Sequence, residues 1–184
     1  MSLELIIGPM FSGKSTYIIR SYQMYNEKFK TIILNYYNDN RYDNGDFICT
    51  HDNNKEKAIK LEKLMDLDKR HYENEVIIID EGHFFNDLKP FVLNLMKLNK
   101  KVIVIGLNGD IFGQPFINIM SLIPYSYKIL SFTSICSLCK DDTIGFMHIK
   151  NTYVENIGEY KEIGGKEEYK TVCKKHYDEH NFSS

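Results

Sequence analysis

The chain has 184 residues, 43% of them hydrophobic and 26% charged, with a formal net charge of −2. That is one globular domain with room for a small appendage and a sizeable core. It excludes an overall basic field for nucleic acid or anionic lipid, and no apolar run approaches the roughly 20 residues that span a bilayer.

Leu3 to Ile7 opens the chain as a buried strand. It runs into Gly8-Pro9-Met10-Phe11-Ser12-Gly13-Lys14-Ser15, which fits the phosphate-loop pattern G-x-x-x-x-G-K-[ST]. A helical pattern follows, Thr16 to Glu27. Strand, glycine-bounded loop and helix is the context this motif needs. Backbone N–H groups wrap the phosphates and the helix N-terminus adds partial positive charge. Lys14 is expected to reach the β- and γ-phosphates, and Ser15 to ligate Mg²⁺.

Thr31 to Leu34 is a second apolar strand. The polar stretch from Asn35 to Arg70 reads as a loop or extension carrying one helix, about Lys55 to Met65. Val76 to Ile79 is a third strand, ending in Asp80-Glu81. If the strand persists through Glu81, successive residues face opposite sides, and Asp80 can serve the metal while Glu81 faces a second substrate. A Glu there can take a proton from a hydroxyl attacking the γ-phosphate. Asp80-Glu81-Gly82-His83 also spells the D-E-x-H box of helicases. One lobe, no basic stripe and a negative net charge argue against that reading.

Asp87 to Asn99 shows the clearest helical periodicity, with Leu88, Phe91, Val92, Leu95, Met96 and Leu98 near one face. Val102 to Ile105 and Tyr127 to Phe132 complete five strands. Apolar strands alternating with helices predict an α/β fold with a parallel sheet. The aromatic pairs Tyr36-Tyr37 and Phe84-Phe85, with Tyr125 and Tyr127, read as core or interface, not as base-stacking platforms.

After Phe132 the character changes. Cys136-x-x-Cys139 and Cys173-x-x-His176 are two close pairs that together offer four N/S ligands for a closed zinc site. The 33 residues between them form a loop clamped at its base. His180 is a possible substitute ligand, and Cys49 is unpaired. The opening residues lack signal-peptide regions, so a reducing, cytoplasmic compartment is expected, where paired cysteines point to metal. His71 and His148 have no partner visible in sequence. Tyr177 to Ser184 reads as a frayed tail.

These residues resemble a family, the type II, zinc-containing thymidine kinases. The resemblance rests on the Gly-Pro-Met-Phe-Ser-Gly-Lys-Ser-Thr loop, the Ile-Asp-Glu strand end and the Cys-x-x-Cys…Cys-x-x-His order. It also includes Asp39-Asn40-Arg41-Tyr42, Gly106-Leu107-Asn108-Gly109-Asp110 and Ile163-Gly164-Gly165. It implies a RecA-like phosphate-loop domain, residues 1–134, and a zinc-binding β-domain with a lasso loop, residues 135–178, before a tail at 179–184. It implies transfer from MgATP to the 5′-hydroxyl of thymidine, with Glu81 as base beside Lys14 and Arg41. ATP and Mg²⁺ would be held by Gly8, Pro9, Met10, Phe11, Ser12, Gly13, Lys14, Ser15 and Thr16, with Asp39, Arg41 and Asp80. The nucleoside would meet Met10, Phe84, Leu107, Ile111, Phe112, Phe116 and Met147. Tyr160, Lys161, Glu162, Ile163 and Gly164 would cover its base, and Tyr169 its deoxyribose. Structural Zn²⁺ would sit on Cys136, Cys139, Cys173 and His176. A homotetramer or dimer is the family habit.

Several positions depart from the family. Ile111-Phe112-Gly113-Gln114 lacks the usual basic residue. Phe146-Met147-His148-Ile149 lacks the usual hydroxyl and Arg. Asn108 stands where Asp is commoner, and His176 where some relatives have Cys. The alternative reading is a non-catalytic or nucleic-acid-stimulated phosphate-loop NTPase with a structural zinc site.

Overall fold

The structure is a computed structural model that describes residues 2–38, 47–49, 55–151 and 168–182. In chain order the elements are β1 (Ser2–Ile7), α1 (Lys14–Asn26), β2 (Thr31–Tyr36), β3 (Phe47–Cys49), β4 (Lys55–Lys57), β5 (Ile59–Leu61) and β6 (Val76–Ile79). Then come α2 (Leu88–Lys97), β7 (Lys101–Gly106), α3 (Ile117–Met120) and β8 (Lys128–Ser131). The small strands β9 (Ser134–Ile135), β10 (Ile144–Gly145), β11 (Met147–Lys150) and β12 (Tyr169–Val172) precede α4 (Lys174–Phe182).

Six strands form one sheet in the order β5-β2-β6-β7-β1-β8, every pair of them parallel. Parallel strands need covered faces, and the burial pattern supplies them. On one face Leu3, Leu5, Ile77, Ile79, Val102 and Val104 pack with Phe91, Val92 and Leu95 of α2. On the other, Ile6, Ile33, Ile78, Ile103 and Ile105 pack with Ile18 and Ile19 of α1. The alternation along β6 and β7 sends neighbouring residues to opposite layers. In α2 the buried residues Leu88, Phe91, Val92 and Leu95 fall at the i, i+3, i+4, i+7 spacing of a helix lying on a sheet. Asn99, in the left-handed conformation at φ 57, turns the chain out of that helix into β7.

Two expectations are corrected. Residues 55–65 are not a helix. They form β4, the edge strand β5 paired in parallel with β2, and a 3-10 turn at Leu64–Asp66. Ala58 and Leu64 are buried, so burial follows sheet and turn, and Leu61 joins the core beside Tyr36. The residues expected to fray are helical through Phe182, because Tyr177 is buried against Cys136 and Cys173. The aromatic expectation holds for Tyr36, Phe84 and Phe85: Phe85 is fully buried, and Tyr36 stacks on Phe84 with ring centroids 5.0 Å apart.

Candidate active site and metal centre

Because all six strands are parallel, their carboxyl ends share one edge of the sheet, where ligands of open α/β sheets bind. β1 delivers the phosphate loop there, β6 delivers Asp80 and Glu81, and β7 delivers Gly106 and Leu107. β7 lies between β1 and β6, so the strands that carry the loop and the carboxylates are about 10 Å apart, two strand spacings.

The phosphate loop closes on itself. Lys14 Nζ donates to the carbonyls of Gly8 at 3.1 Å and Pro9 at 2.6 Å, and Ser12 Oγ donates to Pro9 O at 2.8 Å. Gly13 caps α1 at φ 87, and Phe11 sits at φ 61. Glycine takes that left-handed turn without a Cβ penalty. Phe11 takes it against its preference, the kind of backbone strain that collects at functional sites.

Asp80 and Glu81 are both buried. Asp80 Oδ1 accepts the Glu81 N–H at 2.8 Å. Glu81 lies at φ 49, a second strained residue, so the strand has ended and the turn aims its carboxylate. Glu81 Oε2 is 3.5 Å from Nδ1 of the buried His83. That same nitrogen accepts the Leu107 N–H at 3.3 Å. While it accepts, it carries no proton to give to Glu81. Gly106 makes this packing possible: a Cβ there would come 3.1 Å from His83 Nδ1 and 2.8 Å from Ile119 Cδ1.

Beside Leu107 lies an apolar cluster of Met10, Leu107 and Tyr169, with Ile111 and Phe116 packed against it. Five of the residues expected around the nucleoside thus meet, drawn from the phosphate loop, the β7 loop and β12. Phe84 is half-buried against Tyr36 and His83, and Phe112 is exposed. Met147 packs with the zinc-ligand core, on the Gly113 side. Ser15 and Thr16 form the first turn of α1. Asp39, Arg41 and residues 160–164 lie outside the described residues, as does the side chain of Cys49.

Cys136, Cys139, Cys173 and His176 converge, with all four ligand atoms within 4.8 Å of one another. His176 Nδ1 is 3.4 Å from Cys136 Sγ, 3.5 Å from Cys139 Sγ and 3.4 Å from Cys173 Sγ. Cys139 Sγ and Cys173 Sγ are 3.9 Å apart, far from a disulfide's roughly 2.05 Å. A tetrahedron with Zn–S of about 2.3 Å and Zn–N of about 2.0 Å has edges of about 3.5 to 3.8 Å. The residues present therefore fit a structural zinc ion. His180 is not in this cluster.

Sequence reasoning missed the contacts that join the Cys/His module to the site, two of them made by Tyr177 and His148. Tyr177 Oη donates to Ile111 O at 3.1 Å. His148, given no role above, is buried, and its Nε2 accepts the Met10 N–H at 2.8 Å. Its Nδ1 lies 3.2 Å from Gly109 O. Nε2 accepts, so the neutral ring's proton is on Nδ1 and donates to that carbonyl. The one available signal was that the stretch Phe146 to Ile149 departs from the family pattern, and it did not say what His148 would touch.

Burial, and then the positive charge of Lys14, hold His148 down to about 4, against the opposing pull of the Gly109 carbonyl and Asp110. The folded value lies below the unfolded one of about 6.5, so the unfolded chain binds the extra proton between the two. Stability from this ring is therefore full above pH 6.5 and falls as pH drops toward 4. Between pH 6.5 and 5 the wild type should lose about 1.6 kcal/mol more than His148→Gln. Urea unfolding of both zinc-loaded chains at the two pH values measures it; equal losses would mean the ring is not held neutral.

Comparisons with known proteins identify the family. The thymidine kinase family model matches residues 1–177. A thymidine kinase of vaccinia virus (strain Ankara) is 38% identical over 179 residues, 95% of this chain and 96% of its own length. One of monkeypox virus has the same identity and coverage. One of variola virus is 39% identical over 177 residues, again 95% of this chain and 96% of its own. The matched stretch carries the phosphate loop, the Asp80–Glu81 strand end and all four Cys/His ligands, and this chain belongs to the thymidine kinase family.

Proposed function

We propose that the protein transfers the γ-phosphate of MgATP to the 5′-hydroxyl of thymidine, giving thymidine monophosphate and ADP. The observation that supports this best is one chain of contacts. Glu81 lies against His83, His83 accepts from Leu107, and Leu107 packs with Met10 and Tyr169. A buried carboxylate is thus linked through His83 to an apolar cluster that includes Met10 of the phosphate loop.

In this reading the loop's N–H groups and Lys14 hold the β- and γ-phosphates, with Arg41 and Asp39 near them. Ser15 and Asp80 would hold Mg²⁺, which when bound neutralises charge on the phosphate oxygens. Glu81 takes the proton of the 5′-hydroxyl as its oxygen attacks the γ-phosphorus. Tyr169 supports the deoxyribose. The base lies among Met10, Phe84, Leu107, Ile111, Phe112, Phe116 and Met147, and backbone groups of residues 160–164 cover it. The zinc module of residues 135–178 carries that cover. We read the enzyme as a cytoplasmic homo-oligomer, a dimer or tetramer, that needs no nucleic acid. Among the described residues no helix is long and apolar enough to cross a membrane.

A panel of nucleosides with MgATP, scored for 5′-monophosphate, tests the acceptor. Thymidine should be the best substrate. Deoxyuridine lacks one methyl, worth roughly 1–3 kcal/mol in an apolar pocket, so its kcat/KM should be about 10- to 200-fold lower. Product from a different nucleoside would reassign the pocket. No product at all, or turnover only with added DNA or RNA, would overturn the reading.

A further inference from the structure

We propose that His148 and Thr171 are positioning residues that fix the phosphate loop, so that the zinc module's strand pair sets how well the loop takes nucleotide phosphates. This goes beyond the transfer reading and borrows from it only the assignment of Gly8 to Ser15 as the phosphate-binding loop.

The geometry centres on one peptide unit on each side of Met10. Its N–H donates to His148 Nε2 at 2.8 Å. Its C=O accepts from Thr171 Oγ1 at 2.9 Å. His148 and Thr171 are partners in the β11–β12 register, so the two hydrogen bonds come from facing positions of one small ladder. Both side chains are buried, Thr171 fully. Ser134 Oγ adds a third contact, donating to Phe11 O at 3.1 Å. The loop is thus held at the two residues leading into and making its left-handed turn at Phe11. His148 is braced in turn by Gly109 O, which belongs to the loop after β7.

A left-handed non-glycine residue persists only where its surroundings over-determine it. The surroundings here include the zinc module. The Met10–Phe11 peptide cannot rotate to a relaxed turn without breaking the Thr171 bond to the Met10 carbonyl, and the Pro9–Met10 peptide before it cannot rotate without breaking the Met10 N–H bond to His148. The cost falls on the loop before nucleotide arrives, so its loss weakens ground state and transition state together. The signature is a raised KM for ATP with kcat kept.

The test compares His148→Leu, which cannot accept, with His148→Gln, whose side-chain carbonyl reaches the Nε2 position. Thr171→Val and Thr171→Ser repeat the comparison on the carbonyl side. Each full-length, zinc-loaded chain is checked for one bound zinc, and MgADP affinity is read by calorimetry. His148→Leu and Thr171→Val should each bind MgADP about tenfold more weakly, the expected effect of one buried group left unpaired. His148→Gln and Thr171→Ser should stay within about threefold of wild type. ATP KM should rise in step, with kcat within about threefold. Wild-type affinity in the zinc-loaded Leu and Val variants would overturn the inference and leave the transfer reading intact. Wild type that binds MgADP with this variant pattern, yet phosphorylates no thymidine, would uphold the inference and sink the acceptor assignment. Wild type that does not bind MgADP would overturn both.

Discussion

Glu81→Gln lowers kcat by about 10²- to 10⁴-fold, the usual contribution of a positioned general base. The substitution keeps the shape of the side chain and its turn, and removes only the capacity to take a proton. Affinity for MgADP and for thymidine should stay within a few-fold, because neither needs proton transfer to bind. The strained φ of 49 at this residue gives a second handle. Glu81→Gly relieves the backbone strain, which costs of order 1–3 kcal/mol, so that variant should be no less stable than wild type while turning over as poorly as Gln. Steady-state kinetics and thermal melts of the two variants settle it. Full turnover by Glu81→Gln with both substrates bound would remove the base from this position.

Cys136→Ser or Cys173→Ser, or removal of the metal by a chelator, should abolish turnover. The reason lies in the wiring of the module. Its small core of Cys136, Ile149, Val172, Cys173 and Tyr177 has few apolar side chains besides the ligands themselves. Structural zinc contributes about 10–16 kcal/mol in small metal domains, far more than this core could replace. The same module holds Met10 through His148 and Thr171, and Ile111 through Tyr177, and Ser134, just before it, holds Phe11. It also supplies Tyr169 to the cluster beside Leu107. Unfolding the module therefore opens the candidate nucleoside pocket and loosens the phosphate loop, while the six-stranded sheet keeps its own core. Far-ultraviolet circular dichroism should show most secondary structure retained, with thymidine binding lost. Restoring zinc should restore activity to the chelated wild type. A chain stripped of metal that still turns over at full rate would contradict this wiring.

The phosphate loop was legible because it is a local device. A strand, an eight-residue turn and a helix are contiguous, and their glycines and lysine must stand at fixed spacing to present N–H groups to phosphate. The zinc ligands were legible for a similar reason, since two residues three or four apart bind from one tight turn. The parallel sheet followed from apolar runs too short for helices. The stretch at residues 55–65 misled because its pattern alternates apolar and charged residues over only a few positions. Whether such a segment coils or pairs depends on an open strand edge, here that of β2. The terminal helix was hidden by its polarity. One buried residue, Tyr177, anchors it, and a single apolar position has no period.

The sequence by itself determined the chemistry on offer: a phosphate loop, two carboxylates at a strand end, four metal ligands and an α/β sheet to carry them. Each is a matter of residue type at short range, where covalent geometry limits what the chain can do. Only the tertiary structure decided what those pieces touch. It brought Met10, Leu107 and Tyr169 into one cluster across 159 positions of chain. It set His83 between Glu81 and Leu107, and gave His148 the task of accepting the N–H of Met10. Such contacts arise from strand order and register. These are fixed by burial of the whole core, not by any local run of residues.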